Sequence, residues 1–541
     1  MGGCRVSLAC VFLAGSSLVA AAPLAEPHPP CDLLLAGGRV VDGTGAPWFR
    51  ADVCVRGGRV AAVGDLGAAP AKRRIDASRL VVAPGFIDMM GQSEYNVLVD
   101  NRAASKITQG ITTEITGEGT AIAPLNARMM ADSKESYDHY GVTPNWTTLE
   151  GYFKEFERRG SALNLATFVG AGGVRNLVIG KDNRPPTAAE LRAMEAAVAE
   201  AMEQGALGLS TSLIYVPDNF ASTEEIIALA KVAARYGGTY ITHQRDEGDG
   251  IDKSLDEVFR IAREAHIPTQ IYHLKTSGKP NWGRMPAVLK RIEEARVEGL
   301  DVSADQYPWT ASSNNLDESL PRARARLDFL KDNPNWPEGA ARILVTSVLN
   351  PVLKKFEGRT IADIARLEGK DPLDALMDVV VADRGNTGRV SFGMSEDDVK
   401  AALKHPLVSF ATDSPAMAED GILSQEKSHP RAWGSAPRIL GKYVREEKLL
   451  SLEEAIRKMT SLPASRMRLD DRGIVRPGLA ADLVAFDPDA VRERSTYADP
   501  IHYSEGIPYV AVNGELVVDG GKITAARPGQ ALRGPGWKPR P

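Results

Sequence analysis

Two kinds of apolar spacing divide this chain. Near its start (32–41, 51–55, 60–63) and near its end (481–486, 509–512, 515–518), apolar and polar positions alternate over short runs. The runs are broken by Gly37, Gly38, Gly43, Gly57 and Gly58, and the last two are joined by Asn513 and Gly514. Alternation with such breaks predicts antiparallel strands and hairpins. Between the ends, short apolar runs alternate with stretches whose apolar residues recur every three or four positions. The stretch after Thr187 carries Leu191, Met194, Val198, Ala201 and Met202 on one face and stops at Gly205. Thr187 with Glu190, Ser222 with Glu225, and Ser451 with Glu454 have the spacing of capping boxes that open helices.

The strand candidates of the central region are 80–87, 112–115, 163–168, 207–209, 239–242, 269–272, 301–304 and 407–411. Eight strands alternating with helices predict a TIM-like (β/α)8 barrel. Strands contributed by both ends predict a small β-sandwich domain built from residues 22–84 and 465–541, around a barrel of 85–464. From 312 to about 394 the spacing breaks down into short helices and loops, which predicts an insertion over the barrel mouth.

The first two dozen residues follow neither pattern: Arg5 precedes an apolar run at 8–19 and then Ala20, Ala21 and Ala22. This reads as a signal peptide of residues 1–21, too short to span a bilayer, and predicts an exported protein, periplasmic or secreted. Cys31 and Cys54 then remain, enough for one optional disulfide but not for a disulfide scaffold. At 541 residues the chain can bury a large core, and its 43% hydrophobic and 25% charged content is that of a globular protein. A net charge of −5 gives no electrostatic reason to expect nucleic acid or an anionic membrane as partner. Small molecules fit better.

The chemistry concentrates where two predicted strands end in histidine. His243 closes one, His273 closes the next, and each is followed two places later by a base, Arg245 and Lys275. Active sites of parallel barrels lie at the carboxyl ends of their strands, so both imidazoles should face the same mouth, with the geometry of metal ligands. Either one alone also fits a hydrogen-bonded strand end. The strand at 407–411 runs into Asp413, which is either a turn residue or, beside a metal, a carboxylate that takes a proton from an attacking water and returns it to a leaving nitrogen.

These segments resemble the D-aminoacylase (N-acyl-D-amino-acid deacylase) branch of the amidohydrolase superfamily over nearly the whole chain after the leader. The resemblance is carried, in order, by 83–88 (APGFID), 205–211 (GALGLST), 242–247 (THQRDE), 273–275 (HLK), 301–308 (DVSADQYP), 428–431 (SHPR) and 459–464 (MTSLPA). It implies a TIM-like barrel with a small β-sandwich, His243 and His273 as zinc ligands, and Asp413 as general base and acid. It also implies that Lys275, Tyr307 and Arg431 hold the carboxylate of the substrate, which suits a cationic fork and a phenol.

The chain departs from this pattern at the first strand. The family's G-F-I-D-x-H-x-H here reads Gly85-Phe86-Ile87-Asp88-Met89-Met90-Gly91-Gln92, so both histidines are gone. Met90 is a poor zinc ligand and Gln92 a weak, neutral one. The cysteine of the family's T-G-N-C-G is also absent, and Glu118 lies within one residue of its place. Glu118, His243 and His273 would make a three-ligand set with an open position, holding one zinc per chain. Glu94 either compensates from the first strand or is a loop carboxylate. The resulting expectation is zinc-dependent hydrolysis of the acyl-amide bond of N-acyl amino acids, of D configuration by the resemblance. The alternatives are a hydrolase of a cyclic or other carboxylate-bearing amide, and an inactive barrel that binds acylated amino acids or peptides.

Overall fold

Eight parallel strands close a barrel, and each ends at the same mouth. In the computed structural model, which describes residues 1–3, 30–67, 69–315, 338–384, 386–425 and 427–538, these are Phe86–Asp88, Ile111–Thr116, Asn164–Thr167 continued by Val169–Gly170, Gly208–Ser212, Thr239–His243, Thr269–Ile271, Val302–Gln306 and Val408–Phe410. Neighbours pair in parallel register throughout. The ring closes between first and eighth strands, where Met89 N donates to Phe410 O and Asp413 N donates to Met90 O. The expected leader falls almost wholly on residues outside those described.

Most strand residues are buried on both faces, as parallel sheets covered by helices require. The helix Ala188–Glu203 shows how that cover forms. Thr187 accepts from Glu190 N while Glu190 reaches back, a complete capping box, and Met194, Val198, Ala201 and Met202 are buried on one face. Each fully buried Val or Met contributes about 1.5–3 kcal/mol. At the other two predicted boxes only half the motif forms. Ser222 and Ser451 cap their helices, but Glu225 turns to Arg175 and Glu454 to Arg457. A guanidinium offers a carboxylate more than one backbone N–H does.

The expected strand at 80–87 is two strands. Val81–Pro84 pairs with Leu483–Phe486 in the terminal sheet, and Phe86–Asp88 opens the barrel. The break is Gly85, where a side chain would collide with Thr112, its Cβ lying 2.2 Å from the Thr112 hydroxyl. The terminal sheet has nine strands from both ends of the chain. It curls until Arg59–Gly64 meets 478–481, enclosing Leu33, Val53, Val55, Ile75, Leu483 and Ala485 in one apolar layer. Cys31 and Cys54 form a disulfide on its outer side.

The last residues leave this domain. Gly529 N donates to Ser161 O, Leu532 N to Leu165 O and Gly534 N to Gly205 O, so the tail is bound along the barrel's lower rim. Between the seventh and eighth strands, Ser312–Asn315, Ile343–Ser347 and Gly388–Ser391 form a three-stranded sheet, joined by helices Ile361–Glu368 and Pro372–Ala382 around a separate core.

Candidate metal centre

Glu118, His243 and His273 come together at the barrel mouth from the second, fifth and sixth strands. Their donor atoms all lie within 4.8 Å of one another. Glu118 is aimed by Gly117, whose φ of +97° turns the chain out of the second strand and whose added Cβ would lie 2.6 Å from Thr167. His243 ends the fifth strand, and its Nδ1 is 2.8 Å from Glu118 Oε1 and 3.0 Å from His273 Nε2. Glu118 Oε1 also accepts from Ser212 Oγ at 3.0 Å.

His273 stands in the left-handed region with φ of 32°, and Asp413 likewise with φ of 52°. Non-glycine residues rarely adopt this conformation, and strained backbone of this kind clusters at working sites. Each is held by its surroundings. Asp305 accepts from His273 N at 2.7 Å. Lys106, wholly buried, donates to Thr412 Oγ1 and to Ser414 O at 2.7 Å each, on either side of Asp413. Its charge is balanced by Asp88 at 2.9 Å and Glu114 at 2.7 Å.

Behind the two imidazoles lies Glu247, to which the sequence reading assigned no role. His273 Nδ1 is 3.0 Å from Glu247 Oε1, and His243 Nε2 is 3.6 Å from Glu247 Oε2. In the neutral tautomer that donates from His273 Nδ1 to this carboxylate, the Nε2 lone pair faces Glu118 and His243. A carboxylate behind a ligating imidazole fixes its tautomer and ring in this way. Lys275 Nζ binds the same Glu247 oxygen at 2.6 Å and sits 2.8 Å from His273 Nδ1. The Lys275 ammonium is therefore part of the histidine support, as well as lining the cleft.

The electrostatics follow from this packing. Burial alone would raise the Glu118 carboxyl, but hydrogen bonds with His243 and His273 hold it well below the usual range. Glu247 is likewise depressed: burial is opposed by Lys275 and both imidazoles. Burial and Lys275 push the His273 imidazole down, yet Glu247, Asp413 and Glu118 together raise it to about 9.

Asp413 faces the triad from the eighth strand. Its Oδ2 accepts from Arg431 Nη1 at 2.6 Å and its Oδ1 from Gln92 Nε2 at 3.0 Å. The Arg431 guanidinium stacks on the Tyr307 ring at 4.8 Å, and the Tyr307 hydroxyl meets Met394 Sδ at 3.5 Å. Gln92 Nε2 donates at 3.0 Å to Glu118 Oε2 as well. Met90 does not reach the site; it is buried among Ile115, Ile241, Tyr272 and Ala411 in the barrel interior. Glu94 stands beside the triad but outside it, with Oε2 buried and unpartnered and its carboxyl raised to about 7 by burial and by Glu114 and Glu118.

A cleft of about 90 Å³ reaches Glu118, His243, His273 and Asp413. It shares Gln92, Glu118, Tyr215, Ser313 and Asn314 with an adjoining cleft of about 450 Å³. Ser313 and Asn314 come from the insertion, which thus forms one wall of the site. Tyr215, edge-on to His243 at 5.5 Å, forms another and was not read from the sequence.

The donor set fits zinc. Two imidazole nitrogens and a carboxylate oxygen converge on one point, a set that leaves a fourth position open. His243 Nδ1 has one proton at most and cannot satisfy both neighbours by donation, so a cation among the three atoms resolves the arrangement.

Known proteins match this architecture. A model of the amidohydrolase family covers residues 73–518. An N-acyl-D-glutamate deacylase of Alcaligenes xylosoxydans xylosoxydans is 37% identical over 503 residues, 93% of this chain and 96% of the relative. The N-acyl-D-glutamate deacylase of Bordetella bronchiseptica, solved with zinc and a phosphonate mimic of its tetrahedral intermediate, matches with a TM-score of 0.82 at 36% identity, over 93% of this chain and 100% of that one. A D-aminoacylase structure, studied for one-metal activation and second-metal attenuation at its binuclear centre, matches with a TM-score of 0.80 at 37% identity, over 93% and 100% of the two chains. With the family model matching residues 73–518 and 37% identity to the deacylase over 93% of its length, the chain belongs to the amidohydrolase family, in the N-acyl-D-amino-acid deacylase branch.

Proposed function

We propose that this protein hydrolyses the acyl-amide bond of N-acyl-D-amino acids, releasing a carboxylic acid and the free amino acid, with one zinc held by Glu118, His243 and His273. The observation that carries the reading is the convergence of these three donors opposite Asp413 in one cleft. Zinc bound there supplies Lewis acidity, polarising the amide carbonyl and making water acidic enough to attack near neutral pH. Asp413 accepts the proton of the attacking water. It then delivers that proton to the nitrogen as the C–N bond breaks, so that the amine departs neutral.

Lys275, Tyr307 and Arg431 would orient the substrate through its carboxylate. Arg431 and Lys275 are paired with Asp413 and Glu247, so a substrate carboxylate would share these cations with them. Fixing the carboxylate would place the amide for attack, an entropic advantage that grows with the rigidity of the anchor. The D configuration rests on the relatives. Export is supported by the Cys31–Cys54 disulfide, since such bonds persist in oxidising compartments.

The test is purified protein assayed for zinc and for hydrolysis of N-acetyl derivatives of D- and L-amino acids, before and after chelation. The reading requires about one zinc per chain, activity on D substrates that is lost with the metal and restored by zinc, and severe zinc loss in Glu118→Gln with the circular dichroism spectrum intact. Binding of N-acyl amino acids without turnover by zinc-loaded protein would refute it.

A further inference from the structure

Gln92 occupies a position that the catalytic reading leaves unexplained. It follows the first barrel strand, anchored by its own N–H to Ser414 O. Its Nε2 lies 3.0 Å from Glu118 Oε2 and 3.0 Å from Asp413 Oδ1. A primary amide nitrogen has two protons, and here each is directed at a different carboxylate. The opposite orientation would set the amide oxygen against two carboxylate oxygens, so the nitrogen must be the atom in the gap.

This arrangement decides what each carboxylate can do. Glu118 has Oε2 tied to Gln92 and Oε1 facing His243, so it can offer the zinc a single oxygen. Asp413 has Oδ2 on Arg431 and Oδ1 on Gln92, so its carboxylate is held by donors on both sides. The gap between Glu118 and Asp413 is also where a second cation would bridge two anionic groups. Among the described residues no imidazole stands there to hold one, and Met90 is turned into the apolar barrel interior. A neutral amide is a weak ligand, and it already fills the space.

The geometry points to Gln92 as a positioning residue that stands in for a second cation: its amide clamps Glu118 to Asp413, sets the direction of both, and limits the site to one zinc. This rests on the zinc reading above. It gives the lost histidines a consequence, since the first strand contributes a hydrogen-bond donor to the centre in place of metal ligands.

Two variants and one titration test it. Zinc per chain is measured by mass spectrometry after equilibration with one and with ten equivalents of zinc. Zinc affinity is measured separately by competition with a chromophoric chelator. Wild-type protein should hold one zinc at both concentrations. Gln92→Glu, equal in size but unable to donate and carrying a third negative charge, should take up a second zinc at ten equivalents. Gln92→Leu should hold one zinc about 10–100-fold more weakly, the usual cost of losing a group that orients a ligand, and should lower kcat with little change in KM.

Thermal melting of each variant confirms folding. Two zincs on the wild type, or a Gln92→Leu variant with unchanged zinc affinity and kcat, would overturn the clamp while leaving the one-site hydrolase intact. Wild-type protein that binds no zinc at all would overturn both readings.

Discussion

The two halves of the barrel mouth are built on opposite principles. On the side of the fifth and sixth strands, His243 and His273 turn ring nitrogens to the centre, and His273 is braced from behind by Glu247 and Lys275. On the side of the first strand, Met90 has withdrawn into the core and Gln92 presents hydrogen-bond donors. Beneath it the charge lies deeper, in the buried group of Lys106, Asp88 and Glu114. One half is arranged to hold a cation and the other to hold the carboxylates that face it. A barrel mouth without histidines on its first strand can therefore keep a coherent geometry, provided that hydrogen-bond donors face the carboxylates there.

The sharpest way to break this comparison is on the histidine side. His243→Ala or His273→Ala should reduce zinc retention and hydrolysis to background, read by metal analysis and amine release. Retention of wild-type zinc in either variant would remove that histidine from the centre. Asp413→Asn should keep the metal and lower kcat by about 10²–10⁴-fold, because the amide fills the same space but carries no proton between water and nitrogen. Near-normal kcat would reduce Asp413 to a structural residue of its turn.

On the first-strand side the expected effect is on folding. Lys106→Met leaves Asp88 and Glu114 buried without their cation and should destabilise the protein by about 3–5 kcal/mol, measured by chemical denaturation. Glu247→Gln retains the size of the brace but not its charge, and should weaken zinc binding by about 10–100-fold with the fold unchanged. The smallest effect is that of pH. Because the surrounding carboxylates raise His273 to about 9 in the metal-free protein, zinc must displace a proton at neutral pH. Apparent zinc affinity should therefore fall about tenfold for each unit of pH lowered below 9, and level off above it.

What the amino-acid pattern revealed follows from where each residue sits on its element. His243, His273 and Asp413 each close a strand-like run between helical stretches, and a chemically active residue ending a barrel strand is visible from that alternation. Glu118 was accessible because it follows a buried strand and lies within one residue of the place where the family pattern has a cysteine. Glu247 lies in a loop four places after His243, where no period marks it, although it stands in the same quoted motif. Lys106 sits in the short helix Ala104–Ile107, whose four residues are all buried, too brief to show a face. Gln92 was legible as a loss of ligand but not as a gain of two hydrogen bonds, since its partners are 26 and 321 residues away. The split at Gly85 was hidden because Val81–Pro84 and Phe86-Ile87 on either side of it read as one apolar run. The tail along the barrel's lower rim uses backbone bonds that leave no side-chain signature.

The central claim, one zinc on one side of the mouth, is tested most directly by anomalous diffraction at the zinc edge from crystals grown with excess zinc. The account predicts a single peak, bonded to Glu118, His243 Nδ1 and His273 Nε2, with no density for a metal between Gln92 and Asp413. A second peak in that gap, or a peak lacking Glu118, would contradict it.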